Sequence, residues 1–321
     1  MFHFRESLHI RGVSPRAAKI ILAAWRPSTR KQYSVYLSRW LLFCGKRSLD
    51  PLQATVNSVL DFLVDLYDSG LGYSGINIAR SMLSSFLVVP RDTGKEILIK
   101  KFLKGVFELR TPQPRYHSIW DVSVVLDYIR TLGPNNELTL QFLTYKTVIL
   151  TALIPAQRVQ TLRYLDLSHL RKTDESFCFF IVDKVKQTRP GHVGLEVIFS
   201  KYHNDERICV YSALEAYIEK TRTLRHKSNL FISYRKPNGP VGTETISRWI
   251  KAVLAPSGVN TNIFKAHSTR AASTSAASTK CVPVQKILNT AGWSNAKTFA
   301  MFYKKKVESH DNAFASSLLQ K

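Results

Sequence analysis

Apolar residues recur at helical spacing through the first third of the chain. Tyr33, Tyr36, Leu37, Trp40, Leu41 and Cys44 form an i, i+3, i+4, i+7, i+8, i+11 stripe, which predicts a helix capped by Ser28 and ended at Gly45. Val56, Val59, Leu60, Leu63 and Leu66 predict a second helix, capped by Thr55 and closed at Gly70. A third follows Ser74, with Ala79, Leu83, Phe86 and Leu87 inward. A fourth sets Ile99, Phe102, Leu103, Val106 and Phe107 on one face and Lys100, Lys101, Lys104 and Arg110 on the other. Four helices in about a hundred residues make a compact bundle.

Thr111-Pro-Gln-Pro-Arg115 interrupts this pattern, and two prolines among polar residues mark a linker. The expected division is therefore a helical domain over 1–110, a linker over 111–115 and a second domain over 116–321. Beyond the linker, Val124, Val125, Tyr128, Ile129 and Leu132 predict a helix ended by Gly133-Pro134, and a long helix runs from about Leu138 to the Pro155-Ala-Gln-Arg158 turn. The period then changes. Segments 177–183 and 195–199 read as strands joined by a basic hairpin over 184–192. Helices resume over about 212–223, 243–254, 269–278, 283–291 and 294–302, the third covering most of an unbroken run of Ala, Ser and Thr from Ala271 to Thr279. The expected fold class is mainly α, with a small antiparallel β-sheet in the C-terminal domain.

Charge narrows the function. The 321 residues carry 46 Lys and Arg against 23 Asp and Glu, a formal net charge of +23, on a chain that is 45% hydrophobic. A core-forming chain this basic points to a polyanion, and nucleic acid is the usual one. Lys and Arg are spread along the whole sequence rather than gathered on one amphipathic helix, which argues against a membrane surface. The longest apolar run, 147–155, is too short to span a bilayer. The N-terminus lacks the apolar core of a signal peptide. Cys44, Cys178, Cys209 and Cys281 stand apart, with no Cys-x-x-Cys pair, and read as buried thiols in a reducing compartment, neither disulfides nor a metal site.

The candidate chemistry lies near the C-terminus. His267-Ser-Thr-Arg270, Gly292-Trp293 and Tyr303 put an imidazole, a guanidinium, an indole N–H and a phenol in one short stretch. A guanidinium holds phosphate oxygens as a planar, permanently charged fork. A phenol aimed at phosphorus becomes a covalent nucleophile once the charge there is neutralised. Phosphoryl chemistry of this kind needs fixed cations, and no Walker-type phosphate loop occurs in the sequence.

Taken in order, these boxes resemble the tyrosine recombinases, the phage-integrase and Cre-like family, across both domains. Ile154-Pro-Ala-Gln-Arg158-Val-Gln-Thr-Leu162 with Leu165-Asp-Leu167 is similar to the family's first arginine box. Lys186 in Val-Lys-Gln-Thr-Arg-Pro-Gly stands where the family has its hairpin lysine, with Lys184 as the other candidate in that hairpin. His267 to Arg270 resembles the second box, Gly292-Trp293 the third, and Tyr303 the nucleophile position. The segments 25–33 and 292–303 resemble the DIRS-type retrotransposon recombinases of eukaryotes. Three positions depart from the Cre-like pattern: Thr161 replaces an acidic residue, Trp293 replaces a histidine, and the 293-to-303 spacing is one residue longer.

The resemblance implies a two-domain fold forming a clamp around double-stranded DNA, and a metal- and ATP-independent enzyme. It would cut and rejoin strands through a 3′-phosphotyrosyl intermediate, integrating a mobile element in the nucleus, or in the cytoplasm of a non-eukaryotic host. Arg158, Lys186, His267, Arg270, Trp293 and Tyr303 are the implied catalytic set, with no metal and no cofactor. Lys100, Lys101, Lys104, Arg30, Lys31 and Arg189 are the expected DNA contacts. The implied assembly is a monomer in free solution and a homotetramer on paired DNA sites, linked by a terminal helix with Phe314, Leu318 and Leu319 on one side. A type IB topoisomerase-like enzyme, or a domesticated DNA-binding protein that has lost its chemistry, are the competing readings.

Overall fold

A computed structural model describes residues 1–88, 97–185, 188, 194–293 and 295–308. The chain divides into two compact units, Met1–Gln113 and Pro114–Lys321.

The described part of the first unit consists of six helices: α1 (Phe2–Ile10), α2 (Pro15–Ala23), α3 (Pro27–Arg47), α4 (Val56–Asp68), α5 (Tyr73–Phe86) and α6 (Ile97–Leu109). The sequence pattern predicts only the last four. In α1 and α2 the buried positions are few, chiefly Phe4, Leu8, Ala18 and Leu22, too short a stripe to stand out. Helix α3 also differs at both ends. Arg26 and Pro27 open it rather than Ser28, and Gly45 lies inside it, the turn to left-handed backbone coming at Ser48 with φ 49°. A glycine within a helix costs about 1 kcal/mol, less than the helix gains by burying Trp40, Phe43 and Cys44 beside it. In α4, Thr55 caps as expected, its hydroxyl accepting the Ser58 amide at 3.2 Å. The core gathers Trp40, Phe62, Leu63, Ile76, Met82 and Leu83, each almost fully buried.

The second unit is built around α8 (Leu140–Leu153), which follows β1 (Ser118–Ile119) and α7 (Val122–Thr131). Every residue of α8 from Thr147 to Leu153 is buried, because α10 (Val210–Thr221), α11 (Thr243–Leu254) and α12 (Ser268–Thr279) surround it. Helix α9 (Val159–Arg163) follows directly. Strands β2 (Leu170–Lys172), β3 (Ser176–Ile181) and β4 (Leu195–Ser200) form an antiparallel sheet in that order, with Phe177 opposite Phe199 and Phe179 opposite Val197. The chain continues through α13 (Val284–Ala291) and α14 (Ala296–Phe302) to β5 (Lys306–Val307), which pairs in parallel with β1. Two-residue strands such as β1 and β5 carry no periodic signal in sequence. Cys44, Cys178 and Cys209 are buried, whereas Cys281 is exposed, contrary to expectation. Among the described residues no helix is long and apolar enough to cross a membrane.

Candidate active site

The turn after α8 sets the first cation. Ala156 takes left-handed backbone, φ 48°, a conformation that costs an L-residue roughly 1 kcal/mol or more. That strain is held by buried contacts. The Ala156 carbonyl accepts from Arg270 Nη1 at 2.8 Å, and the next residue, Gln157, donates through Nε2 to the Thr290 carbonyl at 2.9 Å. Arg158 then stands at the N-cap of α9, half-buried. Its Nη1 has no partner among the described residues. Thr161, where the resemblance leads one to expect a carboxylate, is buried, and its hydroxyl is also without a partner among them.

Arg270 lies in the first turn of α12 and is fully buried. Besides Ala156, it donates through Nη2 to the Ala291 carbonyl at 2.5 Å, while Nε has no partner among the described residues. Its guanidinium carbon sits 4.1 Å from the centre of the Trp293 ring. Burial pushes the Arg270 guanidinium down to about 9, well below its ordinary range, the neighbouring Arg158 cation adds to the fall, and Tyr303 opposes it. Burial likewise lowers Arg158, again opposed by Tyr303. No carboxylate pairs with either guanidinium among the described residues. Two neighbouring cations, one buried and one half-buried, without a counter-anion are unfavourable alone and favourable around an anion.

Trp293 reaches this site because Gly292 ends α13 in left-handed backbone, φ 65°, where glycine meets no steric penalty. The indole is buried, packs with Ala156, Ile287, Leu288, Ala291 and Phe299, and leaves Nε1 without a partner among the described residues. Tyr303 follows α14, half-buried, with its ring 4.4 Å from that of Trp293. A hydrogen bond of 3.1 Å joins its hydroxyl to His267 Nε2. The structure thus brings together Arg158, His267, Arg270, Trp293 and Tyr303. Arg158 Nη1, Arg270 Nε and Trp293 Nε1 are buried donors in need of an acceptor, and such groups in a folded protein call for an explanation.

Other expected residues fall elsewhere. Lys186 and Arg189 lie outside the described residues, as do Phe314, Leu318 and Leu319. Lys184 is exposed just past β3. Lys31, Lys100, Lys101 and Lys104 are exposed in the first unit. Arg30 instead turns inward, donating to the Trp25 carbonyl at 3.1 Å and the Leu22 carbonyl at 2.8 Å, so it secures the end of α2. Arg110 leaves the basic face of α6 in the same way, bound to the Tyr67 and Leu71 carbonyls. Sequence reasoning missed Ala156 and Gln157, whose part is played by backbone geometry and an ordinary amide.

Solved structures resemble this one over most of its length. The Tn1549 transposon integrase in complex with transposon right end DNA aligns with a TM-score of 0.57 at 12% identity, covering 100% of this chain and 99% of that one. A lambda integrase dimer bound to a COC′ core site gives 0.54 at 16% identity, covering 91% and 94%. The XerH site-specific recombinase bound to difH substrate gives 0.52 at 10%, covering 84% and 70%. No protein-family model matches the chain, and no curated protein matches it in sequence. The protein has the tyrosine recombinase fold, mainly helical with a small antiparallel sheet.

Proposed function

We propose that this protein is a DNA strand-exchange enzyme in which Tyr303 is the nucleophile. One observation carries the reading: the Tyr303 hydroxyl rests on His267 beside two guanidiniums, buried Arg270 and half-buried Arg158, that lack a counter-anion among the described residues. A scissile phosphodiester supplies that anion. In-line attack concentrates negative charge on the non-bridging oxygens, where Arg158 and Arg270 stabilise it and Trp293 donates one further N–H. His267 accepts the phenolic proton as the Tyr303 oxygen bonds to phosphorus. The bond to the 5′-oxygen breaks, and that oxygen takes a proton, for which Lys186 is the assigned donor. The product is a 3′-phosphotyrosyl linkage and a free 5′-hydroxyl, and attack by another 5′-hydroxyl reverses the step without ATP.

The helical unit is assigned to gripping duplex DNA and the second unit to chemistry. The enzyme is assigned to integrating a mobile element in a nucleus, as a monomer when free and a tetramer on paired sites. The test is trapping on a nicked suicide substrate. Wild-type protein should form a covalent DNA adduct in the presence of EDTA, and Tyr303→Phe should form none while binding DNA with nearly unchanged affinity. An adduct of normal yield in the Phe variant, or activity lost in EDTA and restored by magnesium, would overturn the assignment.

A further inference from the structure

Tyr303 rides on a weak support. Helix α14 has seven residues, of which only Phe299 is buried, and so short a helix cannot by itself fix the residue at its end. Phe299 belongs to a small core separate from the main core of the unit, and the Tyr303 ring packs against both. Beyond this ring packing and the pairing of β5 with β1, the backbone at Tyr303 is tied to α12 through one side chain. Ser275, buried in the middle of that helix, donates its hydroxyl proton to the Tyr303 carbonyl at 2.8 Å and accepts the Lys305 amide at 3.0 Å. The hydroxyl thus acts as donor and acceptor at once, to backbone groups at, and two residues beyond, the tyrosine. His267 stands at the N-cap of the same helix, which also carries Arg270, five residues before Ser275. One rigid element therefore sets the imidazole, one cation and the backbone of the phenol in a common frame.

We infer that Ser275 is a positioning residue for the nucleophile, fixing Tyr303 at hydrogen-bond distance from His267. The inference rests on the reading of Tyr303 as nucleophile. It also accounts for part of the Ala271–Thr279 run, because a small hydroxyl is the group that reaches two nearby backbone sites from a packed helix. Misplacing a reacting group by about 1 Å costs on the order of 10²-fold in rate.

The test measures Ser275→Ala and the near-isosteric Ser275→Cys in two assays. At saturating suicide substrate, both should form the adduct roughly 10- to 100-fold more slowly, with DNA affinity within about twofold of wild type. In the absence of DNA, trypsin should cut after Lys304 or Lys305 faster than in wild type, since the Lys305 amide no longer has its acceptor. Cysteine, a weaker hydrogen-bonding partner of similar size, should give the intermediate value in each assay, and it serves alone if the alanine variant does not fold. Wild-type rates of adduct formation and proteolysis in either variant would overturn the proposal, as would a fall in DNA affinity matching the fall in rate. If wild-type protein itself forms no adduct, the nucleophile reading fails, and unchanged proteolysis would then separately refute the anchor.

Discussion

Arg270 combines two demands, burial and charge. Burial pushes its guanidinium down, to about 9. A guanidinium nevertheless keeps its charge across the working pH range, so the downward push marks a cost of folding that a bound anion relieves. Arg270→Ala should lose roughly 10³-fold in cleavage, since it removes charge stabilisation of the transition state. Near-normal cleavage in that variant would mean Arg270 does not face the phosphate. The residues assigned to the chemistry, Arg158, His267, Arg270 and Tyr303, were open to sequence reasoning because charge and nucleophilicity belong to the side chain itself. Ala156, Gln157 and Ser275 were not, since each acts through a backbone group that only the folded chain brings near, at 114, 133 and 28 residues' separation.

At the scale of the element, periodicity marked long helices well and their ends less well. Thr55 is legible as a cap because its hydroxyl meets an amide three residues on. Gly45 misleads, because a glycine can either end a helix or be tolerated inside one, and the buried residues around it decide. This gives a stability prediction. Gly45 is exposed, and a Cβ there would meet nothing within 4 Å. Gly45→Ala should stabilise the protein by about 0.5–1 kcal/mol through reduced freedom of the unfolded chain and better helix propensity. Chemical denaturation would read this as a higher midpoint at unchanged slope. A lower midpoint would mean that the glycine serves a close approach not formed within this chain. The strands β3 and β4 were legible from their runs of aromatic and β-branched residues, whereas β1 and β5 pair only because the fold brings distant parts of the unit together.

Across the whole molecule the charge is shared. Residues 1–113 carry 17 Lys and Arg against 8 Asp and Glu, and the remainder 29 against 15, so each unit has its own cationic excess. Several of the acids are already committed to ion pairs, as in Arg130 with Asp205 and Lys172 with Glu215. If both units grip one duplex, on the order of ten phosphates are neutralised, and log affinity should fall against log salt with a slope of roughly −9. A slope near about −2 would mean that most of the charge serves something other than DNA. The exposed lysines of α6 allow a sharper version. Lys100, Lys101 and Lys104 lie close together on one helix, with Ile99, Leu103 and Val106 buried behind them. Replacing all three with Gln removes charge without touching that core, so thermal unfolding should be unchanged. The slope should become shallower by about 3, close to one unit for each phosphate no longer neutralised. Weakening should be similar for every DNA sequence, because groups that grip phosphates position a protein without reading bases. An unchanged slope in the triple variant would make α6 a solvated face and shift the DNA grip to other surfaces of the helical unit.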